Sequence, residues 1–299
     1  LRKPTVRSFY LDTTGPAGVP RVEPILLFCL IELRKSMLQP LSCYHEGEGK
    51  MITLRDVSKS YDGTVKAVDN ITLTVQSGEI FGFLGPNGAG KTTTIKMITG
   101  ILTPDQGSIL VGGHDIVQEP LAAKRSFGFV PDDPHIFPRL KAIEYLRFIG
   151  DIYHVPTEER VSRIGLLSQR FGLEDVLNDR IQSYSHGMRQ KLMIIGALLP
   201  APDVWILDEP MTGLDPRSSY ILKEMMREHA DRGKTVFFST HILDVAEKIC
   251  DRLAIIDQGR IMFCGTIQEM RNHFSSESSL ETMFLDLVGA TTEDEADDI

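Results

Sequence analysis

Apolar and polar residues alternate along "ITLRDVSKSY" (52–61) and "ITLTVQ" (71–76). That period of two puts one face of a strand in a core and the other toward solvent. "EIFGFLG" (79–85) is different. It is almost continuously apolar and ends on glycine, as a strand buried on both faces does. A helix is predicted directly after it, from Gly90 to Thr99, and "SILVGG" (108–113) and "SFGFVPDD" (126–133) read as further strands. Between 141 and 180 the spacing becomes helical, with Ile143, Leu146 and Ile149 on one face. Thr157 heads "TEER" and is placed as the N-cap of a second helix. Met188, Leu192, Ile195 and Leu199 carry a third helical pattern. Three strand-like runs follow, "VWILDE", "TVFFST" and "RLAIIDQ", with helices at about 217–231 and 241–249 between them. A last helix is predicted through "SLETMFLDLV" (279–288). Strands alternating with helices imply a parallel sheet wrapped by helices, an α/β class.

Composition narrows the partners. The chain has 299 residues, 42% hydrophobic, and a formal net charge of -9. That balance argues against a protein that coats nucleic acid or anionic lipid. Cys29, Cys43, Cys250 and Cys264 form no CxxC pair and are read as reduced thiols. The longest apolar run, Ile25–Ile31, is well short of the roughly 18 residues of a membrane span. It also sits too far behind a Pro/Gly-rich lead to be a secretion signal. Residues 1–50 stand apart, with 7 Lys/Arg, 5 Asp/Glu and prolines at 4, 16, 20, 24 and 40. They are expected to be a translated leader or flexible arm, with Met51 as the natural start. The tail "EDEADD" is expected to be disordered.

"GPNGAGKT", Gly85 to Thr92, fits G-x-x-x-x-G-K-[ST] and stands between a buried strand and a helix, the context that motif requires. Glycines let backbone N–H groups curl around a phosphate, and the helix N-terminus adds partial positive charge. Gly85, Pro86, Asn87, Gly88, Ala89, Gly90, Lys91, Thr92 and Thr93 are the candidate phosphate binders. Lys91 can reach the β- and γ-phosphates, and the Thr92 hydroxyl can ligate Mg²⁺. "VWILDEP" places Asp208 and Glu209 at a strand tip. Asp208 can orient Mg²⁺, and Glu209 can act as general base on water. The guanine-reading Asn-Lys-x-Asp does not occur, which lowers guanine specificity without proving adenine.

"YSHGMRQK" (184–191) is a polar, glycine-containing helix start with no acid poised as a base. The order of phosphate loop at 85, Ser-x-Gly at 185, Asp-Glu at 208, "GLD" at 213–215 and "STH" ending at His241 resembles the nucleotide-binding domain of ATP-binding cassette (ABC) transporters, from Met51 to about Ile267. The resemblance implies a P-loop NTPase core with a mixed or parallel sheet, an N-terminal antiparallel β-subdomain and a small α-helical subdomain at about 141–199. It places the ATPase domain at 51–272 and a C-terminal helix with the acidic tail at 273–299. It also implies that Ser185 and Gly187 contact the γ-phosphate of ATP held by a neighbouring subunit. Tyr61 would stack on adenine, Asp215 would cross to the neighbour's phosphate site, and His241 would hold Glu209 and the water. His241 read on its own residues could instead be only a helix cap. The family usually has glutamine where "GFVPDDP" puts Asp132, a carboxylate that can still ligate Mg²⁺. His186 and Met188 also depart from the usual Leu-Ser-Gly-Gly-Gln.

The expected function is an ATPase subunit, with ATP and Mg²⁺, that powers an ABC transporter of the exporter-type branch through a separate polytopic permease. It would act at the cytoplasmic face of a bacterial membrane, as a homodimer or as a heterodimer with a related ATPase, without nucleic acid. The alternative is an ATP-dependent regulator or soluble ABC ATPase not coupled to transport.

Overall fold

The computed structural model describes residues 49–61, 63, 65–134, 136–273 and 280–293. Residues 1–48 of the expected 1–50 leader and the end of the acidic tail lie outside them, and Lys50 already belongs to the first strand. In chain order the elements begin β1 (Lys50–Ser60), β2 (Lys66–Gln76), β3 (Ile80–Leu84) and α1 (Lys91–Ile98). Next come β4 (Gln106–Val111), β5 (His114–Asp115), α2 (Pro120–Ser126), β6 (Phe127–Val130), α3 (Ala142–Ile152) and α4 (Thr157–Phe171). The second half holds α5 (His186–Leu198), β7 (Val204–Leu207), α6 (Pro216–Asp231), β8 (Thr235–Thr240) and α7 (Leu243–Ile249). It closes with β9 (Arg252–Asp257), β10 (Arg260–Gly265), α8 (Ile267–His273) and α9 (Leu280–Glu293).

Two sheets result. β1 pairs antiparallel with β2 and β4 in a sheet of order β2-β1-β4-β5. The larger sheet runs β10-β9-β3-β8-β7-β6. Its strands are parallel except β10, which pairs antiparallel with β9. The antiparallel edge is absent from the reading of the sequence, although "DQG" between two apolar runs is a hairpin signal.

The alternation inside the buried strands sorts the core onto two faces. Phe81, Phe83, Val204, Ile206 and Phe237 face one cluster with the antiparallel sheet and with Ile95, Met97 and Ile98 of α1. Ile80, Trp205, Leu207, Val236 and Phe238 face the other, with α3, α4, α5 and α6. Phe81 and Phe237 stack at 5.9 Å, and Phe83 meets Phe237 at 5.5 Å. Each fully buried aromatic contributes about 1.5–3 kcal/mol of transfer free energy. That two-sided burial explains why "EIFGFLG" and "VWILDE" read as unbroken apolar runs. A third cluster joins Leu84, Leu253 and Ile255 to Met270 of α8 and to Met283 and Leu287 of α9.

Several local expectations shift. α4 begins at Thr157, but Pro156 occupies the N-cap and no side-chain cap forms. α5 starts two residues before Met188, because Ser185 caps it. Cys250 is a free thiol, and Cys29 and Cys43 lie outside the described residues. The parallel strands β3, β6, β7 and β8 all end on one edge of the sheet. The loops after them carry Gly85–Gly90, Asp132, Asp208–Glu209 and His241. Ligands of open α/β sheets bind at that carboxyl edge.

Candidate functional site

The chain leaves β3 at Leu84 and enters α1 at Lys91, so six residues must turn sharply around a concave backbone. Gly88 and Gly90 adopt φ of 86° and 106°, values that side chains resist. A Cβ at Gly85 would stand 2.3 Å from the Ile256 carbonyl oxygen, and one at Gly90 would stand 2.5 Å from that of Ala67. Glycine at 85 and 90 is therefore a packing requirement as well as a dihedral one. The Thr94 amide and hydroxyl both donate to the Gly90 carbonyl, at 2.9 Å each, which starts the helix. Lys91 is 6% exposed. Its Nζ donates to the carbonyls of Gly85 at 2.7 Å and Pro86 at 3.0 Å and lies 3.6 Å from Glu209 Oε1. A buried cation on a rim of N–H groups is a receptor for anionic oxygen.

The acids stand opposite. Asp208 is 1% exposed, and burial raises its carboxyl above the ordinary carboxylate range. Hydrogen bonds from Ser239 and Thr92 oppose that rise, while the charges of Asp132 and Glu209 add to it. The Ser239 hydroxyl donates to Asp208 Oδ1 at 2.5 Å and accepts from the Glu209 amide at 2.9 Å. One hydroxyl on β8 thus holds both acids of the β7 tip. Glu209 has φ of 46°, the left-handed region, which costs a residue with a Cβ about 1–2 kcal/mol. Such strain is characteristic of functional positions. His241 Nδ1 lies 3.0 Å from Glu209 Oε2. A carboxylate only accepts, so Nδ1 carries the proton in this contact. Helix α7 is preceded by Ile242 at its N-cap, so His241 is not that helix's cap.

One cleft of about 240 Å³ is lined by Ala67, Pro86, Asn87, Gly88, Gly90, Lys91, Thr92, Thr93, Asp132 and Glu209; Asp208 and His241 do not line it, and His241 joins it through its contact with Glu209. Asp132, exposed on the loop after β6, does reach the phosphate loop. Tyr61 is 65% exposed beyond the end of β1, with its hydroxyl 3.2 Å from Thr93 Oγ1 at the start of α1. A larger groove of about 430 Å³ opens beside the stretch after Asp132, lined by Pro134, Ile136, Phe137, Pro138, Ile181, Gln182 and Arg189. It holds neither a carboxylate nor a lysine, so its size does not make it the chemical site.

Ser185, Gly187 and Asp215 line neither hollow and meet elsewhere. Ser185 Oγ accepts from the Met188 amide at 3.2 Å as the N-cap of α5. Gly187 packs against the neighbouring loop, where a Cβ would come within 2.7 Å of the Gly213 carbonyl oxygen. Asp215 caps α6 by accepting from the Ser218 amide at 2.9 Å and hydroxyl at 2.6 Å, and it takes a third bond from Lys191 Nζ at 2.9 Å. Those donors, Ser218 first and Lys191 next, hold its carboxyl well below the usual carboxylate range. Ser239, Ala67 and Lys191 are the site residues that sequence reasoning misses. Only Ser239 left a signal, its place in "STH" at a buried strand's end.

The family model described as ABC transporter matches residues 68–212. "ABC transporter ATP-binding protein NatA" of Bacillus subtilis is 39% identical over 231 residues, covering 76% of this chain and 94% of that protein. The chain belongs to the family of ABC transporter ATP-binding subunits. "Nod factor export ATP-binding protein I" of Cupriavidus metallidurans is 37% identical over 220 residues, 74% of this chain and 72% of that protein. Among solved structures, an ATP binding subunit of an ABC transporter aligns with TM-score 0.76 and 34% identity, over 79% of this chain and 99% of that one. A dimeric ATP-binding cassette in a post-hydrolysis state, bound to ADP and Pi, aligns with TM-score 0.67 and 25% identity, over 73% of this chain and 99% of that one. ABC ATPases bind and hydrolyse ATP, and their fold is the P-loop NTPase fold found here. The ABC family match encloses the phosphate loop, Asp132, Ser185–Gly187 and Asp208–Glu209; Tyr61, Asp215 and His241 lie outside it.

Proposed function

We propose that this ABC subunit hydrolyses ATP at the cleft between the phosphate loop and Glu209 and that hydrolysis powers export through a separate polytopic permease at the cytoplasmic face of a bacterial membrane. The observation that carries the reading is that Glu209, at the cleft, lies within ion-pair reach of Lys91 on one oxygen and hydrogen-bond reach of His241 on the other. Lys91 and the loop amides neutralise the terminal phosphates. Glu209 takes a proton from the attacking water, and His241 orients the carboxylate through its Nδ1–H. Tyr61 offers an exposed ring for the adenine, with its hydroxyl in hydrogen-bond contact with Thr93.

Thr92, Asp208 and Asp132 fit Mg²⁺: the donors are hard oxygens, and Asp208 is already oriented by Ser239. Among the described residues no three His, Cys, Asp or Glu side chains form a metal cage. Bound there, Mg²⁺ would supply charge neutralisation on the phosphates.

Ser185 and Gly187 are exposed and half-exposed, respectively, at the N-terminus of α5. In a head-to-tail dimer, homo- or heteromeric, they cap the ATP of the neighbouring subunit, with Asp215 beside them. The matched dimeric cassette supports that arrangement. The Nod factor export relative and the "Daunorubicin/doxorubicin resistance ATP-binding protein DrrA" of Streptomyces peucetius, 38% identical over 218 residues, support export. Among the described residues no helix is long and apolar enough to cross a membrane, so the membrane path belongs to another chain in this reading. The stretch from Asp132 through α3 and α4 is its contact. Exposed Phe137 and Phe148 meet edge to face at 5.9 Å there, beside the larger groove.

Glu209→Gln tests the central step. It should keep ATP binding, lower hydrolysis by about 10²–10⁴-fold, and accumulate an ATP-bound dimer by light scattering. Hydrolysis at the wild-type rate would remove Glu209 as the base.

A further inference from the structure

A phosphate loop that aims its N–H groups at a ligand must aim carbonyls the other way, and buried carbonyls need donors. Lys91 serves Gly85 and Pro86, and Thr94 serves Gly90. The Ala89 carbonyl is served from much farther along the chain. The Gly259 amide, in the turn between β9 and β10, donates to it at 3.0 Å. The Gly259 carbonyl in turn accepts from the Asp69 amide of β2 at 2.8 Å. One residue, Gly259, therefore ties the phosphate loop to the antiparallel sheet through its amide on one side and its carbonyl on the other.

We propose that the β9–β10 turn is a positioning element for the phosphate loop, with Gly259 as its positioning residue, and that it sets the affinity for the phosphates of ATP. Space at this junction is tight on every side. Gly259 has φ of 77°, and Gln258 before it has φ of 44°, the left-handed pair of a two-residue hairpin turn. A Cβ on Gly259 would stand 2.9 Å from the Ala67 carbonyl oxygen and 3.1 Å from Val68 Cα. A Cβ on Gly90 would meet the same Ala67 oxygen at 2.5 Å and Gly259 Cα at 3.5 Å. Ala67 itself lines the cleft. Pushing the turn outward would pull on Ala89 and release Gly90. Outside the junction, Arg260 donates to Asp69 Oδ2 through Nε at 3.0 Å and Nη2 at 2.7 Å, and Lys66 holds the other oxygen at 2.5 Å. Gly259 touches no reacting atom; its effect passes through the loop backbone.

The test uses the full chain, a fluorescent ATP analogue with Mg²⁺, and steady-state hydrolysis. Gly259→Ala should weaken analogue binding and raise KM by about tenfold. Turnover at saturating ATP should stay within about twofold, since Glu209 and His241 keep their geometry. Arg260→Ala keeps the glycine and removes only an exposed side chain, so it decides the matter if Gly259→Ala fails to fold. It should weaken binding about two- to threefold. Unchanged affinity in either folded variant, or a loss confined to turnover, overturns the proposal. Because the inference rests on nucleotide binding at this loop, a wild-type chain that does not bind the analogue would overturn that reading and this one together.

Discussion

The cleft behind the phosphate loop and the surface at the start of α5 are both polar, glycine-dependent helix starts, yet they are built oppositely. The cleft is closed from within its own chain. Lys91 is buried, Asp208 is gripped by Ser239, and Glu209 is held by Ser239 and His241. The start of α5 is turned outward, and its polar groups bond mainly to maintain the loop: Ser185 caps its own helix, and Asp215 is tied to Ser218 and Lys191. In the proposed reading the first region receives the triphosphate within a single molecule, and the second presents amides and a hydroxyl to a neighbouring one. Two regions of the same residue types then differ in how many chains they need, which is the difference the following variants probe.

The sharpest way to break the contrast is Lys91→Ala. It removes a charge-assisted bond from the self-sufficient region, so binding of ATP to the isolated subunit should weaken by about 10–100-fold. Equilibrium titration of dilute protein reads this; unchanged affinity would mean that the cleft is not the receptor. Gly187→Ala strikes the other region, since its Cβ would press on the Gly213 carbonyl. Binding to dilute subunit should hold within about twofold while hydrolysis at high protein concentration falls by about tenfold. Comparable losses in both assays would erase the distinction between the regions.

The smallest expected effect concerns the tie between α5 and α6. The Asp215 carboxyl is depressed below its ordinary value of 3.8 in the folded chain. The stability it contributes is therefore fully present above about pH 4 and is lost as pH falls toward the folded value. Asp215 is half exposed, so solvent screening keeps the contribution below about 1 kcal/mol. Asp215→Asn keeps an N-cap for α6 but loses the ion pair with Lys191. Its thermal midpoint should lie slightly below wild type at pH 7, and the two should converge on acidification. A gap that widens with falling pH would contradict the assignment.

Much of the architecture was legible. Period-two alternation marked β1 and part of β2, and unbroken apolar runs marked β3, β7, β8 and β9, because burial of one face or two writes directly onto neighbouring residues. The phosphate loop was legible for a related reason: left-handed turns and close backbone contacts demand glycine where they occur. The limits were equally physical. A mixed or parallel sheet was expected, but β10, the strand that makes it mixed, was not picked out. Thr157 looked like a cap by type, but Pro156 stands in the capping position.

The amino-acid sequence alone determined the strand and helix types, the phosphate loop, the strand-tip acids and the family they point to, since each depends on residues within a few positions of one another. Only the tertiary structure decided that Asp132 reaches the cleft, that Ser239 holds both acids, that Lys191 ties down Asp215, and that Gly259 braces a loop whose carbonyl donor is missing locally. Those are bonds and approaches between residues far apart in the chain. Their partners are selected by how sheets and helices pack, which no local periodicity records.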